Sequence, residues 1–188
     1  RDDRPDAVSY HQTGETYAAL VRMTLETLRD AGIGRLLIKL HPRDSQSSII
    51  RTLVREVPEL NTQIVEQAEL ASLLAGTSCV LSCSSSAGIE ATLAGVPVIQ
   101  LMPAGSVDLI PDTDFGLLGT ARTRDELEAL LDQARHRWAE GRRCPEERVF
   151  GPLDGRASAR IVEALFADRS AGSAQRASPQ PSSLRAAP

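Results

Sequence analysis

The stretch SCSSSAGIEATLAGVPVIQL, residues 82–101, carries the residue types closest to chemistry. Its serines and a glycine stand at the start of a predicted helix, a carboxylate follows about one turn in, and Gly95-Val96-Pro97 closes it. The first amides of a helix have no intrahelical acceptor, and small residues there let an anion approach the backbone. Ser84, Ser85, Ser86 and Gly88 are therefore candidate phosphate-binding residues. Any one of these serines reads equally well as a helix N-cap. Three in a row followed by Ala87-Gly88 give up packing for access, which favours an anion site. Glu90 is placed to accept hydrogen bonds from the two hydroxyls of a ribose attached to that phosphate; its plain reading is a solvated helix residue near a positive dipole end.

A second cluster is KLHPR, residues 39–43. His41 leaves the end of a predicted strand, and Pro42 blocks further pairing, so the imidazole is expected in the crevice at the carboxyl ends of the strands, where open α/β sheets bind ligands. His41, a helix start and a ribose-reaching carboxylate on one sheet edge together describe a site for a nucleotide mono- or diphosphate. The chain has no GxxxxGK[ST], no GxGxxG after a strand and no GxSxG, so a P-loop, a dinucleotide-binding turn and a nucleophile elbow are all unsupported. Asp108, Asp112 and Asp114 fall in one long loop and read as turn residues, and no metal site is expected.

Composition narrows the field further. The 188 residues suit one full domain, and 41% hydrophobic with 3% aromatic residues means a core of Leu, Ile, Val and Ala. A net charge of −4, a single lysine (Lys39) and scattered arginines argue against nucleic acid as a partner. Cys79, Cys83 and Cys144 are an odd set without CxxC spacing, which points to a reducing, cytoplasmic setting. No apolar run reaches the length of a membrane span and no signal peptide is recognisable. Arg1-Asp-Asp-Arg-Pro5 reads as the interior of a longer polypeptide.

These residues need a scaffold. A helix is predicted over 13–31, with Tyr17, Leu20, Val21, Leu25 and Leu28 on one face and Gly32 ending it. RLLIKL (35–40) is the continuous apolar run of a strand buried on both faces. A helix carrying Ile49, Ile50, Leu53 and Val54 follows, capped by Asp44 or Ser45. Strand 62–66, helix 69–76, strand 79–82, helix 85–95 and strand 97–101 continue the alternation, which argues a doubly wound parallel α/β sheet. FGLL (115–118) is a further predicted strand. Thr123 and Glu126 form a capping box for a helix to about Trp138 with Leu127, Leu130, Leu131, Ala134 and Trp138 inward. A last helix, 157–167, is expected to pack through Ile161, Val162 and Leu165. The domain spans 13–168, residues 1–12 are a linker or the remnant of a first strand, and 169–188 is a Ser-, Ala- and Pro-rich tail expected to be disordered. DAVSYHQ is a poor strand, so the strand that should feed the first helix is missing or only partly present.

In order and spacing these motifs resemble the carboxyl-terminal, donor-binding half of GT-B glycosyltransferases, especially bacterial capsule and surface-polysaccharide enzymes. EATLAGVPVI is similar to the Glu-Ala-x-x-x-Gly-x-Pro-Val-Ile block in which the glutamate holds the donor ribose, here Glu90. KLHPR looks like the His-Pro motif of polysialyltransferase-, Kdo-transferase- and glycerophosphotransferase-like proteins, which implies a catalytic, phosphate-contacting role for His41. SCSSSAG resembles their paired-serine motif, at Ser84 to Ser86, and FGPLDGRASARIVEAL their terminal helix. The resemblance covers residues 13–167 and implies a Rossmann-like fold, no cofactor beyond a nucleotide-sugar donor (CMP- or CDP-linked rather than UDP-linked), and a glycan or lipid-linked acceptor bound by an amino-terminal domain outside this sequence. It also implies work at the inner face of the cytoplasmic membrane without a membrane span. A retaining Glu-x7-Glu pair would put its first glutamate at Ser82, so the departure favours an inverting transfer. A sugar-nucleotide epimerase of the same fold and a non-catalytic subunit of a split enzyme stay open as alternatives.

Overall fold

The computed structural model describes residues 14–40, 47–106, 115–141 and 151–173. The chain divides into two compact units, Arg1–Val149 and Phe150–Pro188. The first is an α/β unit in which parallel strands alternate with helices.

Helix α1 (Gly14–Asp30) buries Leu20, Leu25 and Leu28, as its apolar period predicts. Thr24 and Thr27 also turn inward; their hydroxyls donate to Leu20 O (2.8 Å) and Met23 O (2.7 Å), so neither of the two is left unpaired. The helix stops where Gly32 takes φ +67°, with Gly32 N donating to Arg29 O and Ile33 N to Leu28 O. Glycine reaches that left-handed conformation without the steric cost a side chain imposes.

Strand β1 (Leu36–Lys39) pairs in parallel with β2 (Thr62–Val65), Leu36 opposite Thr62, and α2 (Ser47–Glu56) joins them. The short α3 (Leu70–Leu74) leads to β3 (Val80–Ser82), α4 (Ser86–Leu93) to β4 (Val98–Leu101), and β5 (Gly119–Ala121) lies parallel to β4 on the far side from β3. Successive residues of β4 serve opposite faces. Val98 packs with Leu74, Ala91 and Val96 of the α3–α4 side, whereas Ile99 and Leu101 join Leu20, Leu25, Leu28, Leu53 and Leu127. All four residues of β4 are buried, so this strand is the centre of the unit. Helix α5 (Arg124–Ala139) starts on the predicted capping box: Thr123 Oγ1 accepts from Glu126 N, and Glu126 Oε2 accepts from Thr123 N at 3.0 Å.

Three expectations change. FGLL is not a strand: Gly116 turns at φ +67°, Leu118 N begins the ladder on Val98 O (2.7 Å), and the strand proper is Gly119–Ala121. A side chain at Gly119 would stand 2.8 Å from Leu130 Cδ2, so the close seat of α5 explains why a strand residue here is glycine. Trp138 is exposed, while Leu127, Leu131 and Ala134 carry the inner face of α5. In the second unit, α6 runs Ala157–Ser173, past the predicted end, and its Ile161, Val162 and Leu165 are exposed instead of packed. The tail beyond residue 173, the linker before Gly14 and the proposed caps Asp44 and Ser45 lie outside the described residues.

At the surface, Asp30 accepts from Arg29 Nε and Arg124 Nη2, both at 2.7 Å, tying the end of α1 to the start of α5. Hydrogen bonds from Arg29 and then Arg124 hold its carboxyl down at about 2 against an ordinary 3.8. A carboxyl depressed in the folded chain adds stability above its unfolded pKa and loses it as pH falls through the folded value. Asp30→Asn is thus expected to lower the melting temperature near neutral pH, with the gap closing as pH drops from about 4 to about 2; a thermal melt series over that range checks it.

Candidate functional site

The serine stretch sits where β3 hands over to α4, at the carboxyl end of a parallel strand. Ser82 is buried as the last strand residue, and the chain then turns sharply. Ser84 takes φ +44°, the one positive value at a non-glycine among the described residues. Its hydroxyl donates to Met102 Sδ at 3.1 Å, fastening the turn to the end of β4. Strain of this kind persists where neighbouring contacts hold it in place.

Ser85 is the N-cap: its backbone is extended (φ −117°, ψ 140°) and its Oγ accepts from Ala87 N at 3.3 Å. Gly88 N donates to Ser85 O at 2.9 Å. Two of the helix-start amides are thereby engaged within the protein, and the Ser86 amide has no protein acceptor among the described residues. Ser86 itself is exposed.

Gly88 is buried, and a side chain there would meet Ser82 Oγ at 3.3 Å and Val98 Cγ1 at 3.4 Å. The close approach it permits is that of α4 to β3 and β4. Ala91 and Thr92 complete the buried face, Thr92 Oγ1 donating to Gly88 O (3.1 Å). Glu90 is exposed and stands four residues from Ser86, so the two share one outer face of α4 with about 6 Å of axial rise between them. Gly95 (φ +73°) ends the helix, Val96 N closing on Ala91 O and Gly95 N on Thr92 O, and the chain drops into β4.

The structure thus brings Ser84, Ser85, Ser86, Gly88 and Glu90 into one short unit in which Ser86 and Glu90 are the outward polar groups. His41 and the loop aspartates Asp108, Asp112 and Asp114 lie outside the described residues. Among the described residues no group of three His, Cys, Asp or Glu side chains is arranged to hold a metal ion. Cys79 is inert to proton loss, since burial pushes its thiol up to about 12.

The sequence reading missed a cavity of about 300 Å³ just past the carboxyl ends of β4 and β5, lined by Thr16, Leu20 and Met23 of α1 with Pro103, Ala104 and Arg122. Arg122 Nη1 donates to Pro103 O (3.0 Å), Ser106 O (3.2 Å) and Ser106 Oγ (3.3 Å), so the guanidinium clamps the turn after β4. Met102 connects the two places: its sulfur receives the Ser84 hydroxyl, and the next residue, Pro103, lines the cavity. The signal for Arg122 was its place at the end of a strand, but the strand itself was assigned four residues too early.

No protein-family model, curated protein or solved structure matches the chain. No helix among the described residues is long and apolar enough to cross a membrane.

Cap and ligand roles separate by stability. Ser85→Ala is expected to cost about 1 kcal/mol, whereas Ser86→Ala should stay within about 0.5 kcal/mol of the parent; urea unfolding with unchanged m-values checks both.

Proposed function

We propose that this chain is the donor-binding half of an inverting glycosyltransferase of the GT-B type, with a doubly wound Rossmann-like domain that grips the nucleotide of an activated sugar for surface or capsular polysaccharide synthesis. The observation that carries the reading is the start of α4. At the carboxyl end of a parallel strand it presents the Ser86 backbone amide and hydroxyl, neither with a partner among the described residues, and the Glu90 carboxylate one turn along the same face.

A phosphate oxygen fits the Ser86 amide and hydroxyl, where aligned peptide dipoles favour negative charge. Ser84 and Ser85 hold that end in shape through Met102 and Ala87, and Gly88 seats it against the sheet. Glu90 accepts from the ribose hydroxyls. His41 supplies a further donor to the phosphate from the end of β1, the role implied by the His-Pro motif. In the transfer, the acceptor hydroxyl oxygen attacks the anomeric carbon from the face opposite the nucleotide. The bond to the phosphate oxygen breaks with its electron pair, and the acceptor proton passes to a base outside this chain. The part played by these residues is to stabilise charge on the departing phosphate. A CMP- or CDP-linked donor is favoured by the same motif over a UDP-linked one.

Calorimetric titration with CMP, CDP, UDP and UDP-GlcNAc tests this. The cytidine nucleotides are expected to bind more tightly, and Ser86→Ala, His41→Ala and Glu90→Ala each to weaken binding by about tenfold, the scale of one charge-assisted hydrogen bond. Equal affinity of the parent and all three variants would remove the site assignment.

A further inference from the structure

Helix α1 sets Thr16, Ala19, Leu20 and Met23 on one face, spaced i, i+3, i+4 and i+7, and that face lines the cavity beyond β4 and β5. Pro103, Ala104 and Arg122 complete the lining. Arg122 is the one charged residue among them. Leu20 and Pro103 are buried and Met23 is half-buried, so the floor under the guanidinium is apolar.

The turn after β4 fixes how that guanidinium lies. Ser106 N and Ser106 Oγ both donate to Pro103 O, at 3.2 and 2.6 Å, and Gly105 takes φ +75°, the positive value that the third position of a type II turn needs. Arg122 Nη1 then bonds Pro103 O, Ser106 O and Ser106 Oγ, which sets the plane of the group. A guanidinium carries five N–H donors in one planar fork, and Nη1 holds two of them. The Nε–H and the two Nη2–H groups have no acceptor among the described residues. Glu126 does not serve them: its Oε2 is committed to the Arg122 and Thr123 backbone amides, at 2.7 and 3.0 Å. Arg122 is half-buried, so water screens its charge less than it would on an open surface.

We infer that this cavity is a binding site for a small carboxylate with an apolar body, its two oxygens on the Nε and Nη2 edge of Arg122 and its carbon chain against Ala19, Leu20 and Met23. That edge offers two parallel N–H donors, the geometry a carboxylate accepts in bidentate fashion. Because Nη1 is already held by the turn, a ligand arriving at the other edge does not have to order the side chain first. One cation matches one negative charge; a phosphate dianion would carry a second charge onto an apolar floor with nothing in the lining to neutralise it. At about 300 Å³ the cavity lies at the small end of ligand pockets, which limits the body to a short chain or a single ring. The inference stands apart from the nucleotide reading, whose Ser86 and Glu90 are not in this lining.

Sodium hexanoate is the probe, titrated into the full chain and followed by NMR at the Ala19 and Ala104 methyls and at Arg122 Nε. Saturable shifts at all three are expected, with a dissociation constant of about 1 mM. Acetate, which lacks the body, and 1-hexanol, which lacks the charge, should each bind about tenfold more weakly, and hexyl phosphate no more tightly than hexanoate. Arg122→Lys keeps the charge but loses the fork and is expected to weaken hexanoate about tenfold. Ala19→Phe, at an exposed position of α1, fills the cavity without touching Arg122 and should abolish the saturable shifts. That variant decides the matter if Arg122→Lys loosens the turn or fails to fold. No shift at these three groups would overturn the proposal, as would equal binding of hexanoate by the parent and Ala19→Phe. Hexanol binding as tightly as hexanoate would overturn it too, by reducing the site to a greasy cleft, and tighter binding of hexyl phosphate would overturn the choice of a carboxylate.

Discussion

The apolar contact beneath α1 is what holds the first unit together. Among the described residues no ladder joins β1–β2 to β3–β4–β5, and the contact they show between the two half-sheets is a shared apolar cluster. Leu20, Leu25 and Leu28 press on a cluster drawn from both halves, with Ile99 and Leu127 fully buried at its centre. Each such side chain contributes about 1.5–3 kcal/mol by leaving water. Hydrophobic contact is not directional, and the angles of the assembly come from the paired strands and from the helix ends, where Gly32 and the Thr123–Glu126 box set how α1 and α5 enter and leave.

Position at the start of α4 follows from that arrangement. The helix is pinned along its inner face by Gly88 against Ser82 and Val98, and at its end by the Gly95 turn into β4. A short helix fixed at so many points has little freedom to rotate. Ser86 and Glu90 therefore face outward because the other faces are committed to packing. The positive φ of Ser84 fits the same picture: the turn from strand to helix is too tight for relaxed geometry, and the Met102 sulfur bond helps hold it.

Much of this was legible in the sequence because it rests on local patterns. Leu20, Leu25 and Leu28 recur at the helical period, the apolar run at β4 marks a buried strand, and the Thr123–Glu126 box is a matter of spacing, whereas β1, expected to be buried on both faces, is only half-buried with Lys39 exposed. What escaped depends on contacts between distant segments. The seat of Leu130 over Gly119 is invisible in the sequence, and the FGLL run falls just ahead of the strand that Gly119 begins. The periodicity of Ile161, Val162 and Leu165 could not reveal that they stay exposed. Nor could the run of serines divide its own labour: Ser85 was one of three equals until the Ala87 amide made it the cap, and Arg122 was one scattered arginine until β4 and β5 brought Pro103 and Ser106 under it.

The sole lysine acquires a meaning from the edge of β1 away from β2, with which no strand pairs among the described residues. Open strand edges template association between molecules, and a charged side chain on such an edge opposes it, as does a strand of only three or four residues. Lys39 is exposed as the last residue of β1, so the chain carries a charge at the end of that strand. Stacking of copies edge to edge would strip water from that charge, and colloidal behaviour should consequently respond to acetylation of one residue.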